Sequence, residues 1–115
     1  MIDATMFLEI ANRILGDARY RDEGGWRTAI GRAYYAAFLK TKEKLEHGGL
    51  KFTDVDTIHQ QVINGVMERD TNVGNMLDTL RNKRVDADYY MSKTISKELA
   101  GRCAKLSEIV IKSSL

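Results

Sequence analysis

Proline is absent from this sequence. Helix interiors reject proline and turn-rich β proteins commonly use it, so its absence leans toward helices. Cysteine is nearly absent as well. Cys103 stands alone and cannot close an internal disulfide, which excludes a scaffold held by bridges and predicts a cytoplasmic protein. Histidine occurs only at positions 47 and 59. Without a His–Cys cluster there is no basis for a zinc site, so no metal and no cofactor is expected. Long apolar runs are missing too, and no membrane span is expected. The opening Met1-Ile2-Asp3-Ala4-Thr5-Met6 carries an acid and no basic stretch, which predicts no secretory leader. Nor does one sign of charge dominate: 18 basic and 16 acidic side chains leave +2. Any contact with nucleic acid must then use a local patch rather than a global field.

What is present is a globular balance, with 43% hydrophobic and 30% charged residues in 115. That length fits one domain, 1–115, and a core that needs no staples. Apolar residues recur at helical spacing in five stretches. The first runs from about Ala4 to Tyr20, with Met6, Phe7, Ile10, Ala11, Ile14, Leu15 and Ala18 as its stripe; Asp22-Glu23-Gly24-Gly25 should end it. The second, about Trp26 to Glu46, has a main face of Trp26, Ala29, Ile30, Ala33, Tyr34, Ala37 and Phe38. Arg32, Tyr35 and Leu39 form a neighbouring stripe. Two apolar faces suit a central helix, or one face kept for another subunit. His47-Gly48-Gly49 closes it.

The third begins near Thr53 or Asp54 as cap and carries Val55, Ile58, Val62, Ile63, Val66 and Met67. The fourth covers about Val73 to Val85 with Met76, Leu77 and Leu80 inward, and Asp88-Tyr89-Tyr90-Met91 reads as a loop. The fifth starts near Ser92 and shows Ile95, Leu99, Cys103, Leu106, Ile109 and Val110 on one face, where Cys103 reads as a small buried hydrophobe. Short links favour antiparallel neighbours and hence an all-α, up-and-down bundle.

Three segments carry chemistry. In Arg32-Ala33-Tyr34-Tyr35-Ala36-Ala37-Phe38, small alanines beside aromatics let helices approach closely. The run serves core packing, with Arg32 and Tyr35 as candidates for a ligand or subunit contact. In Arg81-Asn82-Lys83-Arg84-Val85-Asp86-Ala87-Asp88-Tyr89, three cations gather near a helix C-terminus, where the dipole alone accounts for them. Arg84, however, continues the stripe of Met76, Leu77 and Leu80, so it must snorkel, pair with an acid or face a cleft. A guanidinium near Tyr89 would suit a phosphate or a base. His59, at the edge of an apolar face, reads as a hydrogen-bonded structural residue, and His47 as an exposed helix end.

In their order and spacing these segments resemble the HEPN family, the small helical domains named for higher eukaryotes and prokaryotes nucleotide binding. The likeness lies in the branch with an Arg-Ala-Tyr-Tyr-Ala-x-Phe run, here Arg32 to Phe38, and a later arginine followed by Ala-Asp-Tyr, here Arg84 and Ala87-Asp88-Tyr89. Thr57-Ile58-His59 resembles the start of the intervening helix, and the similarity spans roughly residues 4 to 112. It implies an antiparallel four-helix bundle with an additional short helix, commonly a homodimer, often encoded beside a minimal nucleotidyltransferase in toxin–antitoxin modules. Active members are metal-independent ribonucleases with an Arg-x4–6-His motif that meets its copy across the dimer. In some family pairs a tyrosine near Tyr89 or Tyr90 receives nucleotides from the partner.

The motif does not occur here: no arginine stands at that spacing before His47 or His59. Where histidine would follow Arg81 stand Asp86, Ala87 and Asp88. RNA self-cleavage at neutral pH needs a base titrating near 7, and the cations at Arg81 and Arg84 favour an aspartate as a settled anion, a poorer base. The expectation is a non-catalytic subunit that binds a nucleotide, RNA or a nucleotidyltransferase partner through Arg32, Tyr35, Arg81, Arg84, Asp88 and Tyr89. A divergent ribonuclease toxin and a purely structural helical adaptor are the alternatives.

Overall fold

The computed structural model describes residues 2–115. Every regular element among them is helical: α1 (Thr5–Gly16), α2 (Glu23–His47), α3 (Ile58–Arg69), α4 (Thr71–Tyr89) and α5 (Lys97–Lys112), with short 3-10 turns at Ala18–Tyr20 and Val55–Thr57. None of these helices is long and apolar enough to cross a membrane.

α2 is the axis. Its 25 residues span about 38 Å at 1.5 Å per residue, close to the 42 Å long dimension of the molecule. All four other helices pack on it, as the two apolar faces require. Ile30, Tyr34, Ala37 and Phe38 join the main core with Val62, Ile63, Val66, Leu77, Leu80, Cys103 and Val110. Ala29 and Ala33 meet Ala11 of α1 in a second cluster, where small side chains let the two helices approach closely. Met6 and Ile10, expected in the α1 stripe, are 46% and 40% exposed instead. So narrow an alanine contact covers only part of the face.

The chain reverses between α1 and α2, between α3 and α4, and between α4 and α5. The α2–α3 link departs from the up-and-down order. His59 begins beside Tyr34 and Phe38, and a side chain at Gly65 would meet Leu45, so α3 runs in the same sense as α2. Residues 48–57 are long enough to carry the chain back down. Gly49, at φ 100, supplies the left-handed turn that starts this return.

Helix ends moved from their expected places for identifiable reasons. The pair Gly24-Gly25 does not stop a helix but lies in the first turn of α2, where Asp22 accepts the Gly25 N–H at 2.8 Å. Gly25 is there for space, because a Cβ would sit 2.2 Å from the Tyr20 carbonyl oxygen. α1 already ends at Gly16, and Asp17 caps the following 3-10 turn. Asp54 caps another 3-10 turn rather than α3, which leaves Val55 81% exposed. α4 continues through Asp88 and Tyr89, which were expected in a loop. The cap of α5 is Ser96 rather than Ser92, and Ile109 is half exposed on its outer side.

Two cations of α2 fasten the far helices. The Arg27 guanidinium donates to the carbonyls of Asp86, Ala87, Tyr90 and Lys93, closing the C-terminus of α4 and the link that follows. Glu23 accepts from Arg27 and from the Ile95 N–H. The bond to the Ile95 amide, then that to Arg27, holds the Glu23 carboxyl below its ordinary range. At the other end Lys44 donates to the carbonyls of Ile111, in the last turn of α5, and Ser113, its C-cap. Midway, Ser107 Oγ of α5 donates to the Ala33 carbonyl at 2.7 Å.

Arg27→Met should cost about 2–4 kcal/mol, because the half-buried carbonyls of Asp86 and Ala87 and the exposed ones of Tyr90 and Lys93 lose their donor at once. Chemical denaturation checks this, and a loss below half a kcal/mol would contradict the role given to Arg27. Phe38→Ala, at a side chain 4% exposed, should cost about 3–5 kcal/mol in the same assay.

Candidate functional site

The site grows from one face of α2. Helical spacing puts Arg32, Tyr35 and Phe38 along a stripe beside the buried Tyr34. α3 brings His59 and Gln60 to this stripe, and α4 brings Arg81, Arg84, Asp88 and Tyr89. Tyr35 is the hub: the Arg84 guanidinium carbon lies 5.2 Å from its ring centre and that of Arg32 lies 5.4 Å away. Arg84 also covers the Tyr89 ring at 5.6 Å, and Arg32 reaches the Phe7 ring at 5.5 Å. Cations over aromatic faces are attracted by the ring quadrupole, which fixes both guanidiniums without neutralising them.

Arg84 meets the requirement its position imposed. Its side chain is 17% exposed and pairs with Asp88, Nε to Oδ2 at 2.8 Å. That contact is ionic rather than a directed hydrogen bond, since the buried Nε has no acceptor along its N–H. Arg81 turns the other way and donates to Gln60 Oε1 at 3.1 Å, joining α4 to α3. Asp86 is engaged by Lys93 at 2.8 Å. Tyr89 is 66% exposed at the mouth of the cluster, with Tyr90 and Met91 exposed beside it. Five of the six expected residues, Arg32, Tyr35, Arg84, Asp88 and Tyr89, therefore share one neighbourhood, and Arg81 adjoins it through α3.

The residue missed as a participant is His59. Its ring stacks on Phe38 at 4.3 Å and lies edge-on to Tyr35 at 6.1 Å between centres. Its Nδ1 bonds the Tyr34 hydroxyl. Partial burial, then the charges of Arg81 and Arg84, lower its pKa from the ordinary 6.5. The imidazole that the sequence lacks at motif spacing is thus brought to the arginines by the packing of α3 on α4. The only sign of this in the sequence was a histidine at the start of a helix, with nothing in its spacing to tie it to Arg81 or Arg84.

Protonation follows from the bonding. Tyr34 is fully buried, burial raises its hydroxyl far above the ordinary value, and Nδ1 is its one partner among the described residues. A Tyr34 hydroxyl that donates to Nδ1 leaves the proton of the neutral ring on Nε2, the arrangement that gives the buried hydroxyl proton its acceptor. His59 in that tautomer is a donor at the end of the ring not bound to Tyr34. Together with Arg81, Arg84 and Arg32 it makes a donor-rich, acceptor-poor patch framed by aromatic rings. Among the described residues no three His, Cys, Asp or Glu side chains gather at a metal-sized point.

No family model matches the chain, and no curated relative does so either.

Because the folded state holds His59 below its unfolded value, its contribution to stability is present above about pH 6.5 and lost as pH falls through the lowered value. The wild-type melting temperature should fall across that window. His59→Gln should flatten the profile there, as thermal melts at stepped pH would show. An identical profile in the variant would remove His59 as the titrating group.

Proposed function

We propose that this chain is a HEPN-type bundle acting as a non-catalytic subunit: it binds nucleotide or RNA, dimerises, and pairs with a minimal nucleotidyltransferase in a toxin–antitoxin-like module. The observation that carries the reading is the cluster of Arg32 and Arg84 around the Tyr35 and Tyr89 rings, with Arg81 adjoining it through Gln60. Guanidiniums present planar forks of donors to phosphate oxygens, and exposed tyrosine faces stack on bases. An isolated cap-and-solvation role for the arginines is disfavoured by Arg84, which is mostly covered and engaged with two rings and a carboxylate.

Binding without cleavage follows from the acid–base inventory. A general base must accept a proton. Asp88 is held by Arg84 and Asp86 by Lys93, and His59 in the tautomer set by Tyr34 offers Nε2–H. One observation favours a second reading, a divergent ribonuclease: a neutral imidazole lies within the field of two guanidiniums. If the Tyr34 hydroxyl turned from Nδ1, the ring could change tautomer and expose a lone pair.

One set of measurements separates them. Wild type should bind ATP or a short single-stranded RNA, and Arg84→Ala or Tyr35→Ala should weaken binding about tenfold while the melting curve stays cooperative. Light scattering should give the mass of a dimer, alone and with a co-expressed minimal nucleotidyltransferase. Absence of binding at millimolar ligand together with no complex would sink the proposal. RNA cut by wild type and spared by His59→Ala would replace it with the ribonuclease.

A further inference from the structure

Away from this site, α4 and α5 leave an open groove of about 340 Å³ between them. Its floor is carbon: Leu99, Leu106 and Ile109 of α5 run along it, with the buried Cys103 beneath. Its rim is basic. Lys83 rises from α4, and Arg102 and Lys105 rise from α5. The groove follows α5 from Leu99 to Ile109, about 15 Å at helical rise.

None of the three cations has an ion-pair partner among the described residues, although eight ion pairs form elsewhere along the chain. Glu108, next to the rim and within the field of Lys105, is committed to Lys112 at 2.7 Å. Ile109 stays 50% exposed at the open side, although core positions were available one residue along, where Val110 is fully buried. An apolar trough with unpaired cations is complementary to an apolar stripe flanked by acids.

The spacing of the cations selects among anionic partners. A single-headed amphiphile needs positive charge at one end. Here Lys83 lines the α4 wall and Arg102 the α5 wall, and Lys105 follows about one turn further along α5. Charge on both walls, one cation on α4 and two on α5, matches a helix that carries acids on each side of an apolar ridge.

We propose that the α4–α5 groove is a docking surface for an acidic amphipathic helix of a partner protein. Leucine-type anchors at i, i+3 and i+7 seat on Leu99, Leu106 and Ile109, and flanking carboxylates pair with Lys83, Arg102 and Lys105. The groove lies on the face of α4 turned away from Arg84 and Tyr35, so it can be occupied independently of the nucleotide site.

The test uses fluorescence anisotropy with a labelled amphipathic peptide of about fourteen residues, leucine-ridged and glutamate-flanked, and a lysine-flanked counterpart. The glutamate peptide should bind saturably and the lysine peptide should not. The charge-reversed chain Lys83→Glu/Arg102→Glu/Lys105→Glu should lose the glutamate peptide by about tenfold or more and gain the lysine peptide. Ile109→Glu, at an exposed position that tolerates charge, should abolish binding with the melting temperature kept, and covers the case in which the triple variant fails to fold. Equal binding of both peptides, or wild-type affinity in Ile109→Glu, overturns the proposal. So does saturable binding of dodecanoate without peptide binding, which makes the groove a small-amphiphile site. Self-association that Ile109→Glu abolishes, with no peptide bound, assigns it to a second copy and overturns the proposal too.

Discussion

The hold of Arg27 on the carbonyls at the end of α4 is the constraint on which the rest of the structure depends. One guanidinium closes the last turn of α4, fixes the link to α5 and, through Glu23, ties the Ile95 amide to the first turn of α2. Buried carbonyls at a helix end need donors, and α2 provides one from its second turn. That fixes how far α4 slides along α2. The same register sets Arg84 over Tyr35 and brings Asp88 near Gly31. A helical slip of one residue would rotate these side chains by about 100° and disperse the cluster.

The arginines serve two physical roles. Arg27 is spent on structure, with its donors directed to backbone oxygens. Arg32, Arg81 and Arg84 keep most of their donors for something else, because rings and a single carboxylate or amide hold them in place. An aromatic face orients a guanidinium through its quadrupole but takes none of its N–H groups. The neutral His59 adds a donor without adding charge. An anion docking on such a patch would meet side chains that are already positioned.

The same economy of side chains appears along α5. Its inner face gives Cys103, Ser107 and Val110 to the core, and burial pushes the Cys103 thiol up to about 11, leaving it an inert hydrophobe. On its outer face Leu99 and Leu106 pack against the core by one side only, and Ile109, Arg102 and Lys105 stay exposed beside them. The two faces of α4 are likewise divided, with Arg84 toward α2 and Lys83 toward α5. The chain thereby carries two separable basic surfaces despite a net charge of only +2.

By itself the sequence determined the helical class, the five helical stretches, the central part played by α2 and most of its buried face. Periodicity is a local property, and burying a stripe of Ile30, Tyr34 and Phe38 needs no knowledge of what covers it. It also singled out Arg32, Tyr35, Arg81, Arg84, Asp88 and Tyr89 as candidates, Arg84 because an arginine on an apolar stripe is anomalous wherever it lies. Only the tertiary structure decided that Gly24-Gly25 begins a helix rather than ending one, since the reason is the Tyr20 carbonyl pressing on Gly25 from another turn. It alone decided that residues 48–57 return the chain so that His59 reaches Tyr34, and that Arg27 rather than any nearby residue closes α4. The last two outcomes rest on contacts between residues 25 to 66 positions apart, and no local pattern encodes which distant surface a helix will meet.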